Sequence, residues 1–354
     1  MKANLLDEML SDMSCQSALH RPSQFWEKAL LEIGTELCGE NIKNFRQLPG
    51  AKRCFVPTYQ LDSLAFYGQE FVELIANLPG NEKLETQKGR ALFEWLRNGA
   101  YLANSDYRTY MAGDRADQPP HLSNCSESKV GCPDEHWNFE GRNFSRSMLN
   151  YLNGLVFLKQ NVDTSDLSKV LEVGGGFGTL GEILLKDTDR DYAYVDVDIP
   201  PSAFAASYYL NSIYPEGSFF DYQFAKRAAE IEMDKFSGSA LVVCPWQLEK
   251  IRGPIDLFVN FISFQEMEPE IVEHYLDHMQ RLESKYALIR NLREGKPKRS
   301  ETCPWGVDRP ILGSDYDRMF RARGFELVAT NVYPFGFKTV DGFHSELRLY
   351  KAED

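Results

Sequence analysis

The stretch VLEVGGGFGTLG, residues 170–181, constrains this chain more than any other. Val170, Leu171 and Val173 read as a short buried strand broken by one acid, Glu172. Gly174, Gly175, Gly176 and Gly178 permit a tight turn that carries no Cβ atoms. Leu180, Ile183, Leu184 and Leu185 then recur at helical spacing. A strand, a glycine-rich turn and a helix start bring together an approachable backbone and a set of free N–H groups. That combination predicts a nucleotide-cofactor site.

Two cofactors compete for the turn. Gly176, Gly178 and Gly181 satisfy G-x-G-x-x-G, the dinucleotide fingerprint. Glu172, Gly174, Gly176 and Gly178 satisfy E-x-G-x-G-x-G, the turn of S-adenosylmethionine-dependent methyltransferases. The acid favours the second. A carboxylate at the end of the first strand repels a pyrophosphate, whereas it attracts the ammonium and sulfonium of S-adenosylmethionine.

Composition narrows the class. The chain has 354 residues, 43% hydrophobic and 13% aromatic, which supports a large core. Its net charge of −13 repels phosphate backbones, so no nucleic-acid partner is expected. No apolar run reaches the ~18 residues of a membrane span. The opening MKANLLDEMLSDMSCQ lacks the apolar centre of a signal peptide. Seven cysteines without a C-x-x-C pair fit reduced thiols in the cytoplasm. His121, Cys125, Cys132 and His136 match no common zinc spacing and read as loop, so no metal is assigned.

Along the chain, residues 1–142 read as a mainly helical N-terminal region. Helical patches fall within 1–50, at 62–78 and at 83–103, and a long loop over 104–142. That loop carries Tyr107, Tyr110, His121, His136 and Trp137, which would suit a sugar-like ligand. Residues 143–354 read as a second unit. A helix at 143–160 opens it, with Arg146 near its start, where a guanidinium would bind the cofactor carboxylate through two hydrogen bonds. A second strand, DYAYVDVDIP at 191–200, carries Asp196 and Asp198, two residues apart and so on one face. Asp198 is the favoured ribose acceptor, because Pro200 and Pro201 end the strand there. Strands at 240–244 and 255–261 follow. Trp246, after the third strand, is placed to stack on adenine. Asn260, Ser263, Gln265 and Glu266 fall at the carboxyl end of the fourth, the edge that faces the ligand in open α/β sheets. Further strands are expected at 286–292, 325–332 and 344–351, with a basic loop at 295–306.

Three pieces recur together: LEVGGGFGTLGEILL, YVDVDIP and DLFVNFISFQEM, with GRNFSRSMLNYLNGLVFL upstream. This set resembles the bacterial sugar O-methyltransferases of the class I S-adenosylmethionine-dependent superfamily, over about residues 140–350. The resemblance implies a Rossmann-like, seven-stranded α/β sheet with helices on both faces. It implies S-adenosyl-L-methionine held by Glu172, Gly174, Gly176 and Gly178, with Asp198 on the ribose. Asp196 is an additional acid that keeps the ribose assignment open between the two. The implied partner is a glycan or small-molecule acceptor, in surface polysaccharide or glycoside modification.

A neutral sugar hydroxyl is a poor nucleophile, so a base is expected near it. Glu266 and His344 are the candidates. Rival readings are methylation of a non-sugar small molecule, a nicotinamide-dependent dehydrogenase, and a non-catalytic subunit of the same fold. A homo-oligomer is compatible with all of them, and the N-terminal region would serve acceptor binding or oligomerisation.

Overall fold

Apolar runs separated by helical periodicity become adjacent strands of one sheet. The computed structural model describes residues 5–59, 98–301, 303, 306–331 and 345–353, with Glu73, Asn77 and residues 86–91. Among these, eight strands form the main sheet. They are β1 (Lys169–Val173), β2 (Ala193–Val197), β3 (Phe219–Phe220), β4 (Ser239–Val243), β5 (Leu257–Phe261), β6 (Tyr286–Leu292), β7 (Phe325–Thr330) and β8 (Ser345–Ala352). Their order is β7-β8-β6-β5-β1-β2-β4-β3. Every pairing is parallel except the two made by β8, which runs antiparallel between β6 and β7.

The expected α/β, Rossmann-like class therefore holds, with eight strands where seven were expected. The additional one is the two-residue edge strand β3. The chain leaves β1 towards β2 and β4, then returns to β5 on the other side of β1. That reversal creates a topological switch point at the carboxyl ends of β1 and β5, where open sheets of this kind take their ligands.

Both faces of the sheet are covered, as a parallel sheet requires. Val170, Val259 and Leu288 pack against helices α4 (Arg146–Asn161), α5 (Thr179–Lys186) and α6 (Pro200–Ile213) through Leu152, Ile183 and Leu210. Leu171, Phe258 and Ile289 pack on the other face against α7 (Pro269–Arg281) and α8 (Gly313–Arg321) through Val272, Leu276 and Phe320. Pro200 and Pro201 do not merely end a strand. They form the first turn of α6, where a missing N–H costs nothing.

The N-terminal region shares the first of these cores. Leu5 and Met9 of α1 (Leu5–Ser14), Trp26 and Ile33 of α2 (Gln24–Glu36), and Phe45 are continuous with it. The sequence boundary at 142/143 is thus not a gap in packing. The long loop expected over 104–142 begins later, because α3 spans Ala100–Gly113. Ala103, Tyr107 and Tyr110 line the buried side of α3, so these tyrosines are core residues. The polar residues between them mask the helical period. A short hairpin, Trp137–Phe139 with Arg142–Phe144, delays the start of α4 to Arg146. The helix expected at 62–78 lies outside the described residues apart from Glu73 and Asn77, as do residues 83–85 and 92–97 of the helix expected at 83–103. Among the described residues no helix is long and apolar enough to cross a membrane.

A buried ion pair cross-links the N-terminal region, and Ser145 of the second unit bonds to it. Arg46 Nη2 donates to Glu127 Oε2 at 2.9 Å, with both side chains essentially inaccessible. Glu127 also accepts from His136 Nε2 at 2.8 Å and Ser145 Oγ at 2.7 Å. Removing one partner of such a pair leaves an uncompensated buried charge. Arg46→Ala should therefore lower unfolding stability by about 3–5 kcal/mol in denaturant titration. A loss below ~1 kcal/mol would show that the pair does not anchor the region.

Candidate functional site

The glycine turn between β1 and α5 forms the floor of a cavity of about 250 Å³. Gly174 adopts φ +77°, and a Cβ there would lie 2.1 Å from Ser263 Oγ, so the turn closes against the β5 loop only with glycine. Gly174, Gly175 and Gly176 line the cavity, together with Asp198, Ile199 and Ser202 from the β2–α6 connection. Ser147, Asn150 and Tyr151 contribute from α4, and Phe261, Ile262, Ser263 and Glu266 from the end of β5. The opposite wall comes from the N-terminal region: Arg21, Pro22, Ser23 and Trp26, then Lys52–Phe55 and Pro57.

Three carboxylates surround the turn. Glu172 is fully buried and accepts hydrogen bonds from Tyr151 at 2.5 Å and Tyr194 at 2.6 Å. Burial pushes its carboxyl up to about 7, against the pull of these two phenol donors. Asp196 Oδ1 accepts from Gly175 N at 3.2 Å, while its buried Oδ2 has no hydrogen-bond partner. Its carboxyl is held well above the usual range by burial, then by Asp198 and Glu172. Asp198 accepts from Gly176 N at 3.0 Å and Ile199 N at 2.7 Å. Burial lifts it to about 7. Both acids of the second strand thus reach the turn, as their spacing predicts, and of the two only Asp198 lines the cavity. Among the described residues none of the three makes a salt bridge.

This arrangement bears on the choice of cofactor. In a dinucleotide site the turn N–H groups point at phosphate. Here the N–H groups of Gly175 and Gly176 point at the carboxylates of Asp196 and Asp198. Carboxyls without a counter-ion beneath the turn ionise more readily beside a cationic ligand, so the turn suits a cation and disfavours an anion.

Glu266 lies at the rim in a single turn, Phe264–Glu266, after β5. Lys296 Nζ donates to its Oε1 at 2.7 Å and sits 3.8 Å from the centre of the Phe25 ring. Ser23 Oγ donates to the Glu266 carbonyl at 2.6 Å. The basic loop at 295–306 therefore supplies the counter-ion of Glu266, and two N-terminal residues fix the assembly. Among the described residues Glu266 Oε2 accepts no hydrogen bond.

Other expected residues serve the frame of the site. Asn260 is buried; its Nδ2 donates to the Val173 carbonyl at 2.9 Å, and its Oδ1 accepts from Asn291 Nδ2 at 3.1 Å. It locks β5 to the end of β1. Arg146 Nη1 donates to the Thr58 carbonyl at 2.7 Å, with its guanidinium 5.5 Å from the Tyr59 ring centre. It holds the N-terminal wall and is not among the cavity-lining residues. Trp246 packs edge-on to Tyr222 and is likewise not among them. His344 lies outside the described residues. Of the four residues weighed as zinc ligands, His136 is bonded to Glu127 and His121 to Asp187, and Cys125 is buried in the core.

Sequence reasoning missed three parts of the site. The Tyr151–Glu172–Tyr194 triad has no local signature, because its members come from three elements. Lys296 was visible only as one of several basic residues in a loop. Ile262, exposed in the cavity wall, has φ +74°, a conformation that costs a β-branched residue of order 1–3 kcal/mol. Such strain at a ligand-facing position has no trace in sequence.

No protein-family model matches the chain, and no curated protein matches it. Several solved structures resemble it in part. Magnesium protoporphyrin IX methyltransferase from Synechocystis PCC 6803, with bound SAH, is 12% identical. The match covers 62% of this chain and 90% of that one, with a TM-score of 0.38. A SAM-dependent methyltransferase from Methanosarcina mazei is also 12% identical, over 56% of this chain and 97% of that one, at a TM-score of 0.38. A mitomycin 7-O-methyltransferase matches 97% of this chain and 75% of its own, at 12% identity and a TM-score of 0.34. Similarity at this level leaves the chemistry to be argued from the residues of the site itself.

Proposed function

We propose that the cavity binds S-adenosyl-L-methionine and that the chain is an O-methyltransferase. The acceptor is a hydroxyl of a sugar or glycoside, in surface polysaccharide or a glycosylated metabolite. The observation that carries the cofactor reading is the set of three uncompensated carboxylates around the glycine turn, two of which occupy the turn N–H groups themselves. The resemblance of the three sequence motifs agrees with it. The sugar acceptor rests on that sequence resemblance.

When bound, S-adenosylmethionine supplies an electrophilic methyl on a sulfonium. Gly174 and Gly176 line the space it would occupy, while Gly178 packs against Leu210 of α6, and Asp198, the acid that faces the cavity, accepts from the ribose hydroxyls. Glu172 places its charge behind the turn, where it attracts the ammonium end, and Tyr151 and Tyr194 hold that carboxylate in place. Glu266 takes the proton of the acceptor hydroxyl, while Lys296 keeps the carboxylate oriented at the rim. The wall formed by residues 21–26 and 52–57 lies across the turn and meets the acceptor.

Calorimetry tests the cofactor assignment. Titration with S-adenosylhomocysteine should give one site per chain, and NAD under the same conditions should give no heat of binding. Binding of NAD alone would overturn the reading in favour of a dehydrogenase. The base is tested separately. Glu266→Gln should lower kcat by roughly 10²–10⁴-fold at an unchanged affinity for S-adenosylhomocysteine. An unchanged kcat would remove Glu266 from the chemistry.

A further inference from the structure

Three of the six histidines of the chain gather at one place, away from the acids of the cavity. His20 ends a single helical turn, Ala18–His20, in the N-terminal region. His274 and His278 lie four residues apart on α7, so they share one face of that helix. The His20 and His274 Nε2 atoms are 3.1 Å apart, and Glu249 Oε1 lies 4.0 Å from His20 Nε2. The ring of His278 packs edge-on to His274 with centroids 4.7 Å apart.

The geometry points to a transition-metal site of the zinc class, with His20 Nε2 and His274 Nε2 as nitrogen ligands and Glu249 as the carboxylate ligand. Two imidazole nitrogens on one tetrahedral zinc, each at about 2.0–2.1 Å, stand about 3.3 Å apart. The observed separation is within a small ring rotation of that value. Glu249 has an exposed side chain, 62% accessible, which would swing towards His274 to complete the ion's ligands. His278 is excluded as an Nε2 ligand by its other nitrogen. Its Nδ1 accepts from Arg281 at 3.0–3.1 Å, so in the neutral ring the proton sits on Nε2. Water would complete the coordination. Among the described residues the group whose three ligand atoms already lie within 4.8 Å of one another is His121, Asp187 and Asp189, but its Asp187 oxygens are engaged. The carboxylate oxygens of Asp187 already accept from Tyr192 Oη, the backbone N–H of His121 and the backbone N–H of Asp189.

The location gives such an ion a structural consequence. His20 immediately precedes Arg21, Pro22 and Ser23, which line the cavity, and Ser23 bonds to the Glu266 carbonyl. A metal joining His20 to α7 would staple this wall of the cavity to the sheet domain. The proposal does not depend on the identity of the cavity's ligand.

Cobalt(II) is the suitable probe on the full chain, because its visible spectrum separates nitrogen and oxygen ligation from ligation by any of the seven thiols. One equivalent should bind with a nitrogen–oxygen spectrum and be displaced by zinc. Its affinity should fall at least tenfold in His274→Gln and in His20→Gln, and measurably in Glu249→Ala, whose exposed position leaves folding intact. Zinc should also raise the Tm of the parent chain and not that of His274→Gln. A thiolate spectrum, uptake unchanged in these variants, loss of uptake only in His121→Gln, or no uptake would each overturn the proposal. In the last case the 3.1 Å contact is a hydrogen bond between the two imidazoles.

Discussion

The site depends on one electrostatic constraint: three carboxylates gather around a glycine turn, and among the described residues no cation pairs with them. A buried carboxylate without a counter-ion is costly, and proteins relieve the cost by protonation or by pairing. Glu172 is half relieved by two tyrosine hydroxyls, and Asp198 by two backbone N–H groups. Asp196 keeps one oxygen bare. This cost, kept at the topological switch point of the sheet, is most simply read as a place prepared for positive charge. The same acids deny the turn its usual role as a phosphate cradle, since they occupy the donors a phosphate would use.

Everything around the turn serves to hold it in place. Asn260 joins the carboxyl ends of β1 and β5 through the Val173 carbonyl, and Ser263 closes on Gly174. Phe261 stacks on Tyr151 with the rings parallel and 4.7 Å apart, which fixes the tyrosine that bonds Glu172. The N-terminal region is part of the same assembly. Its Arg46 is paired inside the core, its Thr58 carbonyl is held by Arg146, and its Ser23 and Phe25 fix Glu266 and Lys296. The cavity is therefore built by both halves of the chain, and its far wall exists only because residues 21–57 pack on the sheet domain.

The sheet was legible in the sequence because buried parallel strands read as continuous apolar runs. The runs at 170–173, 240–244, 255–261 and 286–292 all became strands within one or two residues of expectation. The two-residue strand β3 was not legible, since it is too short to carry a period. Helix α3 was hidden because its buried stripe is made of tyrosines and one alanine among polar residues. Of the motif residues, Gly174, Gly176, Asp198 and Glu266 line the cavity, and Gly178 does not. Contacts between distant segments were not legible. Nothing near Arg146 says that it meets Thr58, 88 residues away, in place of a ligand. Trp246 illustrates the converse, an aromatic after a strand that packs on Tyr222 and does not line the cavity.

The central claim is that the acids of the turn take up charge when a cation binds. Burial lifts Asp198 and Glu172 to about 7, so the ionised fraction of both rises between pH 6 and pH 8. A cationic ligand selects the ionised form. Each carboxyl that must ionise therefore strengthens binding about tenfold across that interval. The direct measurement is the Kd of S-adenosylmethionine, whose sulfonium makes it a net cation, at pH 6 and at pH 8. The account predicts binding at least about tenfold tighter at pH 8, with the difference reduced in Asp198→Asn. An affinity that is flat across this range, or weaker at pH 8, would contradict it.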